Sequence, residues 1–303
     1  MSFNDNVRLD TSQVRSGGSG GGPGRMVVGG GVGGLILLVI ALVFGINPSD
    51  LPTGTTQYDQ SDVQAAGQED GSAFAECRTG ADANESTTCR VIGTVNSVQA
   101  FWDEELVRFK GTWQPTQTVI YDGATQSACG TASNQVGPFH CPLDQRVYLD
   151  ASFFDILQER FGSSGGPLAQ EYVVAHEYGH ALQDQLSLLG RAQQDPQGAQ
   201  SGAVRTELMA DCLAGVWAHH ASSVADPDTG EPFLQELSDQ DIQDALSAAA
   251  SVGDDRIQQA TSGRVNPESW THGSAEARQR WFLTGYESGD LNRCDTFAVD
   301  TVE

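Results

Sequence analysis

Val174-Ala175-His176-Glu177-Tyr178-Gly179-His180 is the stretch that decides how this chain reads. It lies inside a run from Pro167 to Leu186 that carries helical signals. Pro167 suits a first helical position, and Leu168, Tyr172, Ala175, Gly179, Leu182 and Leu186 recur three and four apart. Histidines four apart on a helix stand one above the other on one face. Two imidazoles so placed can hold one zinc ion, and Glu177 then reaches a water at that metal. Gly179 costs the helix about 1 kcal/mol relative to alanine. Its presence predicts close approach of another helix or of a substrate.

A zinc ion that works on water takes three protein ligands and keeps one position open. Glu207 is the candidate third ligand. It lies in Arg205-Thr206-Glu207-Leu208-Met209-Ala210-Asp211-Cys212-Leu213-Ala214-Gly215, a second helical run with Leu208, Cys212 and Val216 four apart. Glu207 and Asp211 share the other face. Two carboxylates stacked at i and i+4 repel each other unless a cation or a donor sits nearby. Zinc on Glu207 and a histidine N–H on Asp211 would supply both.

These words, with Gly137-Pro138-Phe139-His140-Cys141-Pro142, Val147-Tyr148-Leu149-Asp150 and Trp270-Thr271-His272-Gly273-Ser274, resemble the bacterial putative neutral zinc metallopeptidase family. The pair of motifs also resembles the wider gluzincins, of which thermolysin is the familiar member. The resemblance runs roughly from Phe74 to Phe297. It implies an α+β, zincin-like domain with an active-site helix, a second metal-ligand helix and a small sheet. It further implies that Val147–Asp150 is a strand able to hold extended substrate. His272 would be the donor that stabilises the oxyanion of peptide hydrolysis. An ordinary sheet strand and a loop histidine ahead of a helix capped by Thr271 or Ser274 are the plain alternatives.

Composition bounds the rest. The chain has 303 residues, 40 acidic against 16 basic, for a net charge of −24. Such a surface repels nucleic acid, which needs its phosphates neutralised. Met1 to Arg25 is polar and rich in glycine and serine, and is expected to be a disordered tail. Residues 26–46 carry no charge and are long enough for a transmembrane anchor. Arginines precede this run and acids follow it, which puts the N-terminus in the cytoplasm and the domain outside. A cleaved signal peptide is the rival. Residues 47–72 read as a polar linker, and 73–303 as the metallopeptidase domain. All six cysteines follow the apolar run, and an even count in an exported domain predicts disulfides. Proximity favours Cys77–Cys89 and Cys129–Cys141, which leaves Cys212–Cys294.

Further helices are expected over 95–109, 242–250 and 275–286, and short strands over 118–121 and 145–149. Residues and resemblance together lead to one expectation: a membrane-anchored peptidase with one zinc ion. His176, His180 and Glu207 bind the metal, Asp211 orients a histidine, and Glu177 is the general base. Its substrate is a peptide or protein. The alternative from another class is a zinc-stabilised binding or scaffold domain without turnover.

Overall fold

Each helix expected within residues 73–303 forms. The computed structural model describes residues 2–17, 71–134 and 136–303. Two helices, α1 (Gly80–Glu85) and α2 (Thr87–Arg108), open the main body. Ser86 separates them and caps α2 by accepting from the Cys89 N–H. After the strands come α3 (Phe153–Glu159), α4 (Pro167–Gln185), α5 (Gly190–Gln194) and α6 (Gly202–His220). The last three helices are α7 (Asp239–Ser251), α8 (Asp254–Ser262) and α9 (Ala275–Ser288). Pro167 begins α4, where its missing N–H costs nothing. Ser201, Ser238 and Ser274 cap α6, α7 and α9 with their hydroxyls.

Helices α4 and α6 are buried along most of their length and form the centre of the core. They cross at Gly179, where a Cβ would lie 3.1 Å from the Ala210 Cα. The close approach predicted for Gly179 is therefore a helix crossing. Helix α9 crosses α6 more closely still. A Cβ at Gly285 would lie 1.9 Å from the Cys212 carbonyl oxygen, and one at Gly215 2.1 Å from that of Phe282. Paired glycines let these two backbones nearly touch.

Six strands complete the fold: β1 (Val14–Gly17), β2 (Gln117–Tyr121), β3 (Ala124–Ser127), β4 (Gly130–Ser133), β5 (Phe139–Cys141) and β6 (Arg146–Asp150). One sheet has the order β1-β2-β6-β5, with β5 antiparallel and the other pairings parallel. Strands β3 and β4 form a separate hairpin. Over Arg146–Tyr148 both edges of β6 are taken, by β2 and β5. The expected substrate strand is thus an interior strand there, and the sheet's edge on that side belongs to β5. All six cysteines pair as proximity favoured: Cys77–Cys89, Cys129–Cys141 and Cys212–Cys294.

The N-terminal expectation needs correction. Residues 2–17 are part of the domain and not a disordered tail. Phe3 and Val7 are fully buried, Leu9 and Val14 nearly so, and β1 joins the main sheet. Composition averaged over 1–25 hid these four apolar residues behind the glycines and serines that follow Arg15. After residue 17 the described residues resume at Gly71, in a 3-10 turn Gly71–Phe74. The expected anchor at 26–46 and nearly all of the expected linker lie outside the described residues. Among the described residues, no helix is long and apolar enough to cross a membrane.

Candidate metal centre

Tyr172, His176 and His180 are spaced four apart on α4 and share its face. The crossing at Gly179 sets Glu207 and Asp211 of α6 against that face. His176 Nε2 and His180 Nε2 lie 3.1 Å apart. Glu207 Oε2 is 3.3 Å from the first, and Glu207 Oε1 is 3.4 Å from the second. Among the described residues, this trio is the one group whose ligand atoms converge closely enough to hold a metal ion. All three side chains are buried.

The hydrogen bonds behind the rings fix their tautomers. His176 Nδ1 lies 2.8 Å from Asp211 Oδ1, and an ionised carboxylate only accepts, so Nδ1 carries the proton. His180 Nδ1 lies 2.8 Å from Gln183 Oε1. The Gln183 amide cannot be flipped, because its Nε2 donates to the Thr206 carbonyl at 2.7 Å. His180 therefore also donates from Nδ1. In their neutral form, which metal binding requires, both rings then turn bare Nε2 lone pairs toward each other and toward a carboxylate. Acceptors gathered this way need a cation between them. Two imidazoles and one carboxylate make a donor set that fits zinc with a position left for water.

Charge around the trio is balanced by a second buried group. Asp211 accepts from Tyr172 Oη, and Arg278 donates to it through Nε at 2.8 Å and Nη2 at 2.9 Å. Burial would raise the Asp211 pKa, but Arg278 and His176 outweigh it and hold the carboxyl below its usual range. Burial likewise works against a charged His176, yet Asp211 and Glu207 lift its pKa to about 9. Glu207 is held well below its usual value, since His180 and His272 outweigh its burial. The pocket favours positive charge at the point where the ligand atoms meet.

A cavity of about 80 Å³ opens beside this point, lined by His176, Glu177, His180, Glu207, His272 and Arg278 among others. Its remaining walls include Phe153, Leu157, Val173, Ala248 and Val252, which are apolar. Glu177 Oε2 is buried and has no hydrogen-bond partner among the described residues. His272 reaches the cavity from the loop before α9. Asp254 holds that loop, accepting the backbone N–H of Thr271, His272 and Gly273 on one oxygen at 2.7, 2.7 and 3.0 Å. Its other oxygen lies 3.5 Å from His272 Nδ1. Gly137 and Pro138, which lead into β5, also line the cavity.

The structure thus brings together every expected site residue: His176, Glu177, His180, Glu207, Asp211 and His272. The other histidines sit elsewhere. His140 contacts Asp184 at 3.1 Å, and His219 and His220 meet the carbonyls of Tyr286 and Gly289. Sequence reading left Tyr172, Gln183 and Asp254 without roles at the site, and expected Arg278 to pair with a local acid or to bind a substrate carboxylate. Tyr172 and Gln183 carried a signal, at i−4 from His176 and i+3 from His180. Arg278 and Asp254 come from distant helices, and nothing local marked Asp211 as the partner of Arg278 or Asp254 as the support of the His272 loop.

Comparison with known sequences agrees with this geometry. The family described as "Putative neutral zinc metallopeptidase" matches residues 2–297. The chain belongs to this metallopeptidase family. An uncharacterized protein of Mycobacterium tuberculosis is 53% identical over 259 residues, covering 86% of this chain and 85% of its own. The uncharacterized protein YpfJ of Escherichia coli K12 is 36% identical over 301 residues, covering 97% and 96%. No solved structure matches the chain. Family membership implies zinc, and the trio at the α4–α6 crossing is where this metallopeptidase relative could hold it.

Proposed function

We propose that this protein hydrolyses peptide bonds, with Glu177 as general base at a zinc centre formed by His176, His180 and Glu207. One observation carries the reading. The unpartnered oxygen of Glu177 and the three ligand atoms border the same cavity. A structural zinc site needs the ligands but has no use for a free buried carboxylate beside them.

A zinc ion held there would act as a Lewis acid and lower the pKa of a water toward about 7. Glu177 takes the proton from the attacking water and later gives it to the leaving amine. His272, raised in pKa by Glu207 and Asp254 against the effect of its burial, donates to the developing oxyanion. Arg278 is already committed to Asp211 and Tyr172, so its charge keeps the histidine support in place. The apolar wall of Phe153, Leu157, Val173 and Val252 excludes water and accepts a substrate side chain. The substrate is a peptide or protein. The three disulfides support folding in an oxidising, extracytoplasmic compartment.

Glu177→Gln tests the base. The variant should keep zinc and lose activity on the order of 10²–10⁴-fold. His176→Ala should lose the metal itself. Full activity in Glu177→Gln would remove Glu177 from the base role, and unchanged zinc content in His176→Ala would remove the trio from metal binding.

A further inference from the structure

The N-terminal segment is fitted into the domain at both backbone and side-chain level. Asn4 N donates to the Phe233 carbonyl at 3.0 Å, Gln235 N to Ser2 O at 3.0 Å, and Leu9 N to Arg78 O at 3.0 Å. Gly80 N returns a bond to Val7 O at 2.9 Å. Asn96 exchanges two bonds with the Asp10 backbone, at 2.9 and 3.0 Å. Asp226 accepts the Arg8 N–H at 2.9 Å.

The receiving surface has room for this segment and little else. A Cβ at Gly80 would lie 2.0 Å from the Asn4 carbonyl oxygen, and one at Gly93 2.6 Å from the Phe3 ring. Side chains at 80 or 93 would close the groove. Strand β1 then pairs over all four residues with β2, next to the strand that carries β5 to the cavity. The segment also meets the turn Gly71–Phe74, where the described chain resumes.

We infer that residues 2–17 share one compartment with residues 71–303, as an integral part of the same domain. The uncharged run 26–46 lies between these two parts in sequence. Crossing once takes about 20 apolar residues, and crossing out and back takes about twice that. Residues 18–70 contain one such run and no second. A single crossing would put the groove and its plug on opposite sides of the bilayer. A shared compartment differs from the expected topology of a cytoplasmic N-terminus and an external domain, and the experiment below decides between them. The Cys77–Cys89 disulfide lies beside the groove, so the shared compartment is an oxidising one.

The pairing of Arg8 with Thr79 provides the test. They face each other in an antiparallel bridge flanked by the Leu9–Arg78 and Gly80–Val7 bonds. Residues so placed have Cα atoms about 4.5 Å apart, within reach of a disulfide. The full chain carrying R8C/T79C, with a protease site inserted between residues 47 and 70, should form this crosslink in cells. After cleavage the two fragments should stay joined until reduced. If the pair does not fold, two single variants decide. R8C and V107C both place the thiol at exposed positions. Labelling of intact and permeabilised cells with an impermeant maleimide should give both the same protection. Opposite protection of R8C and V107C, or fragments that separate without reduction, overturns the inference. Neither result depends on zinc or on peptidase activity.

Discussion

The Nδ1 nitrogen of His176 lies 2.8 Å from Oδ1 of Asp211, and both side chains are buried. That oxygen also takes Tyr172 Oη and Arg278 Nη2, so one carboxylate orients a candidate metal ligand and neutralises an arginine. Asp211→Asn keeps the shape and removes the charge. Zinc affinity should fall about 10–100-fold, the usual loss when a partner behind a metal ligand is removed. Arg278 would remain buried without its counter-charge, at a cost of about 3–5 kcal/mol. A chelator competition titration and a urea unfolding curve measure the two effects. Wild-type zinc affinity in Asp211→Asn would mean that His176 needs no help from it.

The two glycine crossings should respond differently to alanine. At Gly285 a Cβ would lie 1.9 Å from the Cys212 carbonyl oxygen, a backbone atom that cannot rotate away. Gly285→Ala must push α9 off α6, and overpacking of this kind costs about 1–3 kcal/mol or more. At Gly179 the nearest atom is 3.1 Å away, a strain of tenths of an ångström. The better helix propensity of alanine, about 1 kcal/mol, offsets much of it. Thermal midpoints should therefore drop clearly for Gly285→Ala and little for Gly179→Ala. Equal drops would show that the α4–α6 crossing is the more rigid of the two.

What could be read from sequence follows the range of the interaction. Helix α4 was legible because Pro167 and a three-four apolar spacing are local. Glu207 and Asp211 were legible because two stacked acids need a positive partner. The hairpin β3–β4 was not, since Ala124–Ser133 is polar and small and has no alternation of apolar residues. Phe3, Val7 and Leu9 were hidden for another reason. Their partners, among them Arg78, Gly80, Gly93 and Leu234, lie far along the chain. Arg278 meets Asp211 across 67 residues, and nothing local marks it.

Glu171 makes stability depend on pH. It is fully buried, and neither carboxylate oxygen has a hydrogen-bond partner among the described residues. Burial lifts its pKa from 4.5 to about 8, with Arg90 opposing and Asp241 adding to the rise. The folded protein thus keeps a proton that the unfolded chain has released between those two values. Stability should fall as pH rises through that window, by at most about 1.4 kcal/mol per unit. Glu171→Gln mimics the protonated form and should flatten the trend. Urea midpoints at pH 5 and pH 8 test this. A wild-type slope retained in Glu171→Gln would place the titrating group elsewhere.

The Cys212–Cys294 disulfide should contribute the most of the three. Its sequence separation is 82, against 12 for each of the others. By loop closure alone it constrains the unfolded chain by about 4.5 kcal/mol, and each short loop by about 3 kcal/mol. Cys212 also follows Asp211 directly on α6, so the bond ties the metal-site helix to the C-terminal turn Leu291–Cys294. The double variant Cys212→Ala/Cys294→Ala should melt well below Cys129→Ala/Cys141→Ala. It should also release zinc at lower chelator concentration, because α6 carries both Glu207 and Asp211. Equal midpoints would mean that the burial of α6 against α4 and α9 already fixes the helix, and that closing the long loop adds little.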